Sequence, residues 1–309
     1  MGEGDAILLE YMAGTSVYRM IVDTGDGELP LKEGSLRRTA SEYLREAGIT
    51  HLDMMVLTHL HMAHIGDLEE LGRQVSISRI YSSYIPKDLG LYAKEEQEAE
   101  RLTAEIIRNL KYFAKAVGDL KERGSITYQV LKDEAIFMNE ELKIELLCAN
   151  QEAVKVQNLI YDNILGGIST PGNLKHWAAA ARNPNSLRVV VTYAGRRIEL
   201  DEDYYSDEWE KQELLSCDIL KVSHHGDRKG MTPCLAGKLK PHYAVISCQG
   251  DYVASKDRPS RRTADCLRDE GAEIYYTDCF AGDRQPPCYW KSVIFKVMED
   301  GTILCPDRH

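Results

Sequence analysis

The stretch "VLTHLHMAHIGDL" (residues 56–68) closes an apolar run at Thr58 and then sets histidines at positions 59, 61 and 64. The preceding "HLDMMVLTH" has the continuous apolar character of a buried β-strand, so the strand delivers its C-terminal end to the histidines. In a loop leaving a strand, residues i and i+2 can aim at one point, and i+5 returns from the turn to the same cavity. Neutral imidazole is the commonest ligand for borderline divalent metals, which makes His59, His61 and His64 suited to zinc or manganese. Ala63 sits inside this cluster.

Upstream, "AILLEYM" and "YRMIVDTGDG" read as strands separated by the turn "AGTS", and the second closes on Asp23-Thr24-Gly25. "SLRRTASEYLREAGI" then carries helical spacing and stops near Gly48. Downstream, residues 87–124 predict one long amphipathic helix or two shorter ones, with Leu102, Ile106, Leu110 and Phe113 on one stripe. Such a block either packs on the side of the domain or forms an insertion that gates a site or meets a protein partner. Residues 150–184, with "GGISTPGN", are expected to form a long irregular loop. Strand signals return in "SLRVVVTYAGRRIEL", "DILKVSHH", "YAVISCQG", "AEIYYTD" and "KSVIFKV". The alternation predicts an α/β layered fold: one domain over 1–309, with a helical insertion at about 87–124.

A second histidine cluster lies about 160 residues after the first. "DILKVSHHGD" is again an apolar strand, ending in His224 and His225. Strand ends on one edge of a sheet converge, so repeated use of a strand followed by histidine points to one shared site. Between the clusters, "RRIELDEDYYSDE" runs a strand into acidic residues, and a carboxylate there can bridge two cations.

Composition narrows the function. With 43% hydrophobic and 28% charged residues the chain falls in the soluble globular range. A formal charge of −11 argues against a sequence-independent nucleic-acid coat, which would be basic. A nuclease stays open, because bound cations supply positive charge where phosphate sits. The eight cysteines are scattered without a C-x-x-C pair, and no signal-peptide pattern precedes them, so reduced thiols in a cytoplasmic protein are expected. No apolar run approaches the ~18 residues that span a bilayer, so no membrane association is expected.

Taken in order, "GDAILLEYMAGTSVYRMIVDTGDG", "VLTHLHMAHIGDL", "NSLRVVVTYAGRRIELDED", "DILKVSHHGD" and "AVISCQG" resemble the metallo-β-lactamase-fold hydrolases. Among these, the hydrolase-domain branch of competence (DNA-uptake) proteins is the most similar. The resemblance implies a four-layer αββα sandwich with a metal site at one edge of two sheets. It places the family's H-x-H-x-D-H on His59, His61, Ala63 and His64, and makes Asp203 the bridging carboxylate, with Asp201 as the fallback. His225 then becomes a ligand and His224 a neighbouring proton donor, although the pair can also be read the other way round. Asp23 would stand behind the ligands and support their loop. Asn185 and Ser186 match an Asn-Ser element near substrate, and Arg258, where the branch usually has His, can donate to a phosphate.

The resemblance further implies two divalent ions, Zn or Mn, and a metal-dependent hydrolase. Phosphodiesterase or nuclease activity on a nucleic acid or nucleotide is the expected chemistry. Ala63 removes the carboxylate that would hold the second ion, so that ion should bind weakly and activity should be impaired in this chain. An introduced Asp→Ala change and a natural loss both give this pattern, and the retention of every other ligand favours the first. A catalytically inactive scaffold that binds a nucleotide or protein partner is the alternative.

Overall fold

The computed structural model describes residues 4–29, 37–87, 100–137, 140–148, 150–248, 258–277 and 292–304. Two sheets carry the fold. The first contains β1 (Ile7–Ala13), β2 (Ser16–Val22), β3 (His51–Leu57), β4 (Ser76–Ser82) and β5 (Ile126–Gln129), in that spatial order. β1 runs antiparallel to β2, and the remaining neighbours pair in parallel. The second sheet orders β12 (Glu273–Tyr276), β11 (Tyr243–Ile246), β10 (Ile219–Lys221), β9 (Arg196–Leu200), β8 (Leu187–Tyr193), β7 (Leu142–Cys148) and β6 (Glu134–Phe137).

Strand periodicity assigns the side chains to layers. Successive residues of a strand point to opposite faces. Met20, Val22, Met54 and Val56 accordingly pack between the sheets against Ile144, Leu146, Val189, Val191 and Leu200. Ile21, Met55 and Leu57 face the other way, into a core shared with helices. Those helices are α1 (Ala40–Glu46), α3 (Leu68–Gln74), α4 (Arg101–Glu122), α5 (Gln151–Leu165) and α6 (Gly172–Ala180); the short α2 (Met62–Ile65) lies in the histidine loop. On the far side of the second sheet, Leu220, Val222, Ala244 and Ile246 pack with α8 (Pro233–Leu239) and α9 (Arg261–Asp269), beside the one-turn α7 (Ser206–Trp209). The result is a four-layer αββα sandwich. Strands buried on both faces explain why β3 reads as a continuous apolar run rather than an alternating one.

The block expected as an insertion contributes α4, which connects the parallel strands β4 and β5. Its Ile106, Leu110, Phe113, Val117 and Leu120 are built into the core. Leu102, expected on the same stripe, is 36% exposed. Residues 88–99, the first part of that block, lie outside the described residues.

The segment 150–184 differs from the expected irregular loop, because it holds α5 and α6. Asn150 caps α5 by accepting from the backbone of Ala153, and Gly167, at φ +67°, turns the chain beyond the end of α5. "GGISTPGN" is therefore the turn between two helices. Among the described residues, no helix is long and apolar enough to cross a membrane.

Candidate metal centre

The site forms where both sheets present strand ends to each other. β2 ends at Val22 and delivers Asp23; β3 ends at Leu57 and delivers Thr58 and His59; β9 leads to Asp201, Glu202 and Asp203; β10 leads to His224 and His225. Because β1 is antiparallel to β2, its beginning lies beside the end of β2, with Ile7 opposite Val22. That brings Asp5, two residues before β1, to the same edge.

Backbone contacts lock these loops together. Asp5 N–H donates to the Ala63 carbonyl at 3.0 Å, and Thr24 N–H to the His64 carbonyl at 2.7 Å. Leu187 N–H donates to the Thr58 carbonyl at 3.1 Å, which ties the histidine loop to the second sheet. Gly66 permits a close approach: a Cβ there would lie 2.6 Å from the backbone nitrogen of Gly27.

The histidines converge on Asp203. His59 Nε2 lies 3.5 Å from Asp203 Oδ2 and 2.8 Å from His61 Nδ1, and His61 Nδ1 stands 4.0 Å from the same carboxylate oxygen. On the other side, His64 Nε2 is 3.4 Å and His225 Nε2 3.6 Å from Asp203 Oδ1. Ligand atoms of His59, His61 and Asp203 form one group within 4.8 Å of one another, and those of Asp5, His64, Asp203 and His225 form another. Asp203 belongs to both. Asp23 accepts from the Thr58 backbone at 2.8 Å and from its hydroxyl at 2.6 Å, while His64 Nδ1 lies 2.8 Å from Asp23 Oδ2. Asp23 thus turns His64 so that Nε2 faces the cluster.

His224 stands beside this group. Its Nε2 is 3.8 Å from Asp203 Oδ2 and 3.4 Å from the Asn183 amide nitrogen. Both late histidines and Gly226 hold positive φ, at +50°, +57° and +72°. Left-handed backbone costs about 1–2 kcal/mol for a residue bearing a Cβ. Such strain persists where the surrounding structure over-determines it, as the His224 N–H to Glu202 carbonyl bond of 2.7 Å does here.

Charges are sharply divided. Burial pushes His59 down to about 4, with His64 as a second cause, and pushes His225 down to about 3. His61 is held well below the usual range by burial and by Arg182, and His224 is lowered by burial. For His64, burial opposes the charged form, yet Asp203 and Asp23 outweigh it and raise the imidazole well above its usual range. Burial also opposes ionisation of Asp203, but His64 and His225 hold it well below the carboxylate range.

Beneath the cluster, buried Lys221 pairs with Asp5 and, at 3.0 Å, with Glu202. Despite burial, Lys221 keeps Asp5 ionised, whereas burial drives Glu202 well above the usual range. Asp201 belongs to none of the ligand groups among the described residues; it lies 3.6 Å from Arg188, and burial raises it to about 7.

Several buried atoms here have no hydrogen-bond partner among the described residues: His64 Nε2, Asp203 Oδ1, His225 Nδ1 and Asp5 Oδ1. Orphaned polar atoms in a native interior call for an explanation, and an ion is one. Imidazole and carboxylate groups clustered at this spacing fit a divalent cation of the borderline class.

Of the residues singled out in the sequence, His59, His61, His64, Asp203 and His225 come together, with His224 adjoining and Asp23 behind. Asn185 and Ser186 are bonded within their own loop and to α5: the Asn185 amide donates to Gln157 at 3.0 Å, and the Ser186 hydroxyl to the Asn183 carbonyl at 2.9 Å. Arg258 lies at the rim, 3.2 Å from Asp227. Asp5, Lys221 and Asn183 went unnoticed in the sequence. A lysine inside the apolar strand "DILKV" was the available signal, since a buried ammonium requires a carboxylate partner.

No family model matches the chain, and no curated protein matches it. Solved structures do. The metallo-β-lactamase fold protein YhfI from Bacillus subtilis is 12% identical, with a TM-score of 0.41 and 88% of each chain covered. Zn(2+)-bound PqqB from Methylobacterium extorquens is 8% identical, with a TM-score of 0.44, over 88% of this chain and 84% of the other. A diphosphatase from the PhnP family is 15% identical, with a TM-score of 0.35, over 74% and 67%.

Proposed function

We propose that the chain is a metal-dependent hydrolase that cleaves phosphodiesters, nucleotide or nucleic acid, at a two-metal site of Zn or Mn. The observation that carries this reading is the pair of ligand groups sharing Asp203, one of which leaves His64 Nε2, Asp203 Oδ1 and Asp5 Oδ1 buried without a hydrogen-bond partner among the described residues. Divalent cations held there would act as Lewis acids and make water a nucleophile near neutral pH.

The protein's own part is positional. Asp203 and the four histidines His59, His61, His64 and His225 would hold the ions, and Asp23 fixes the direction of His64 through its short contact with Nδ1. His224 adjoins Asp203, and because burial favours its neutral form it would take a proton from the attacking water before passing one to a leaving oxygen. Arg258 at the rim can meet a phosphate oxygen, but only by sharing its guanidinium with Asp227.

The test is to strip the protein with chelator, restore Mn or Zn, and assay single-stranded DNA, RNA, a cyclic nucleotide and a chromogenic phosphodiester. Cleavage should require the metal and fall by at least a hundredfold in Asp203→Asn. If neither the wild type nor Ala63→Asp cleaves any of these when loaded, the hydrolase reading fails. Metal retained without turnover would instead favour a scaffold that binds a nucleotide or protein partner.

A further inference from the structure

We propose that Asp5 supplies to the second cation the carboxylate that position 63 lacks, so that Ala63 does not leave that site incomplete. The inference rests on the two-metal reading above, and it concerns which residue of this chain completes the ligand set.

Four observations place Asp5 in that role. First, its backbone lies against position 63, with Asp5 N–H donating to the Ala63 carbonyl at 3.0 Å. Gly4 makes this approach possible, since a Cβ there would stand 2.5 Å from the same carbonyl oxygen. Second, Asp5 Oδ2 is 3.7 Å from His225 Nδ1 and 4.0 Å from His64 Nε2. Ligand bonds of about 2.0–2.2 Å around one ion put donor atoms roughly 3–4 Å apart, which is the spacing seen. Third, Asp5 Oδ1, His64 Nε2, Asp203 Oδ1 and His225 Nδ1 are all buried without a hydrogen-bond partner among the described residues. One ligand atom from each of Asp5, His64, Asp203 and His225 lies within 4.8 Å of the others. Fourth, Lys221 grips Asp5 from beneath and also holds Glu202, so the carboxylate is fixed in place while Oδ1 remains without a partner. A carboxylate has about four acceptor sites across its two oxygens, enough for one ammonium and one cation.

The carboxylate therefore reaches the site from the segment before β1 rather than from the histidine loop. Position 63 and position 5 are alternative sources of one ligand, and their backbones are hydrogen-bonded to each other. A carboxylate restored at 63 would duplicate what Asp5 provides.

Manganese titration of the full chain, followed by equilibrium dialysis and by electron paramagnetic resonance of coupled Mn pairs, separates the possibilities. The wild type should bind two Mn per chain and show the coupled signal. Asp5→Asn should keep one Mn at His59, His61 and Asp203, bind the second at least tenfold more weakly, and lose the coupled signal. Asp5→Asn combined with Ala63→Asp should regain both. If Asp5→Asn takes from Lys221 one of its two carboxylate partners and prevents folding, Asp5→Asn with Lys221→Met removes both charges and carries the same expectation. Two Mn bound as tightly in Asp5→Asn as in the wild type would overturn the inference while leaving the two-metal reading intact. One Mn in the wild type would overturn it too, and none would overturn both.

Discussion

Asp201 is a buried carboxyl whose environment makes a demand on pH. Both of its carboxyl oxygens are buried without a hydrogen-bond partner among the described residues, and burial raises it from 3.8 to about 7. Arg188 and Lys221 pull the other way and do not win. Between those two values the folded protein keeps a proton that the unfolded chain releases, so stability falls as pH rises. The shift corresponds to at most about 4 kcal/mol, present in full below pH 4 and gone above pH 7. Denaturant unfolding of the chelator-treated protein should therefore show a decline from pH 4 to pH 7 that Asp201→Asn flattens. An unchanged slope in Asp201→Asn would assign the proton elsewhere. The same scale explains what the sequence hid. His59, His61 and His64 announce themselves by spacing, but Asp5 is a single acidic residue before a strand, and nothing local separates it from a solvated one. Only the antiparallel pairing of Ile7 with Val22 gives it a place.

Among elements, α4 has the most to explain, because its sequence suggested either a helix packed on the side of the domain or an insertion that gates a site or meets a partner. Its apolar side belongs to the core, and polar contacts tie it to the histidine loop, Tyr112 donating to the Gly66 carbonyl at 2.7 Å. The buried Asn109 amide donates to the Leu60 carbonyl at 2.8 Å, holding the backbone between His59 and His61; Arg182 reaches the same oxygen at 3.3 Å. Asn109→Leu keeps the volume and deletes the donor. It should cost about 1 kcal/mol of stability and weaken Mn binding at the His59–His61 side several-fold, read by equilibrium dialysis. Unaltered Mn affinity would limit α4 to a packing role.

The helices α5 and α6 were hidden in a segment rich in Gly, Pro and Asn, where turn chemistry masks short helical runs. By contrast, β3 and β8 were legible because uninterrupted apolar runs have few alternatives to a doubly buried strand.

At the scale of the whole molecule, the account rests on two halves meeting. Residues 5–64 bring Asp5, Asp23 and the three clustered histidines from one sheet, and residues 201–225 bring Asp203 and the late histidines from the other. The inter-sheet core of Met20, Val22, Met54 and Val56 against Val189, Val191 and Leu200 sets their separation. The layered order was readable from alternating strand and helix signals, since two apolar sheet faces must cover each other. The separation of the ligands was not, because it depends on how the sheets pack. The most direct measurement is an anomalous difference map at the manganese edge from crystals grown with Mn. The account predicts one peak bonded to His59, His61 and Asp203, and a second bonded to Asp203, His64, His225 and Asp5, the two bridged by Asp203 across the sheets. Peaks confined to surface carboxylates, with none within bonding reach of Asp203, would contradict it.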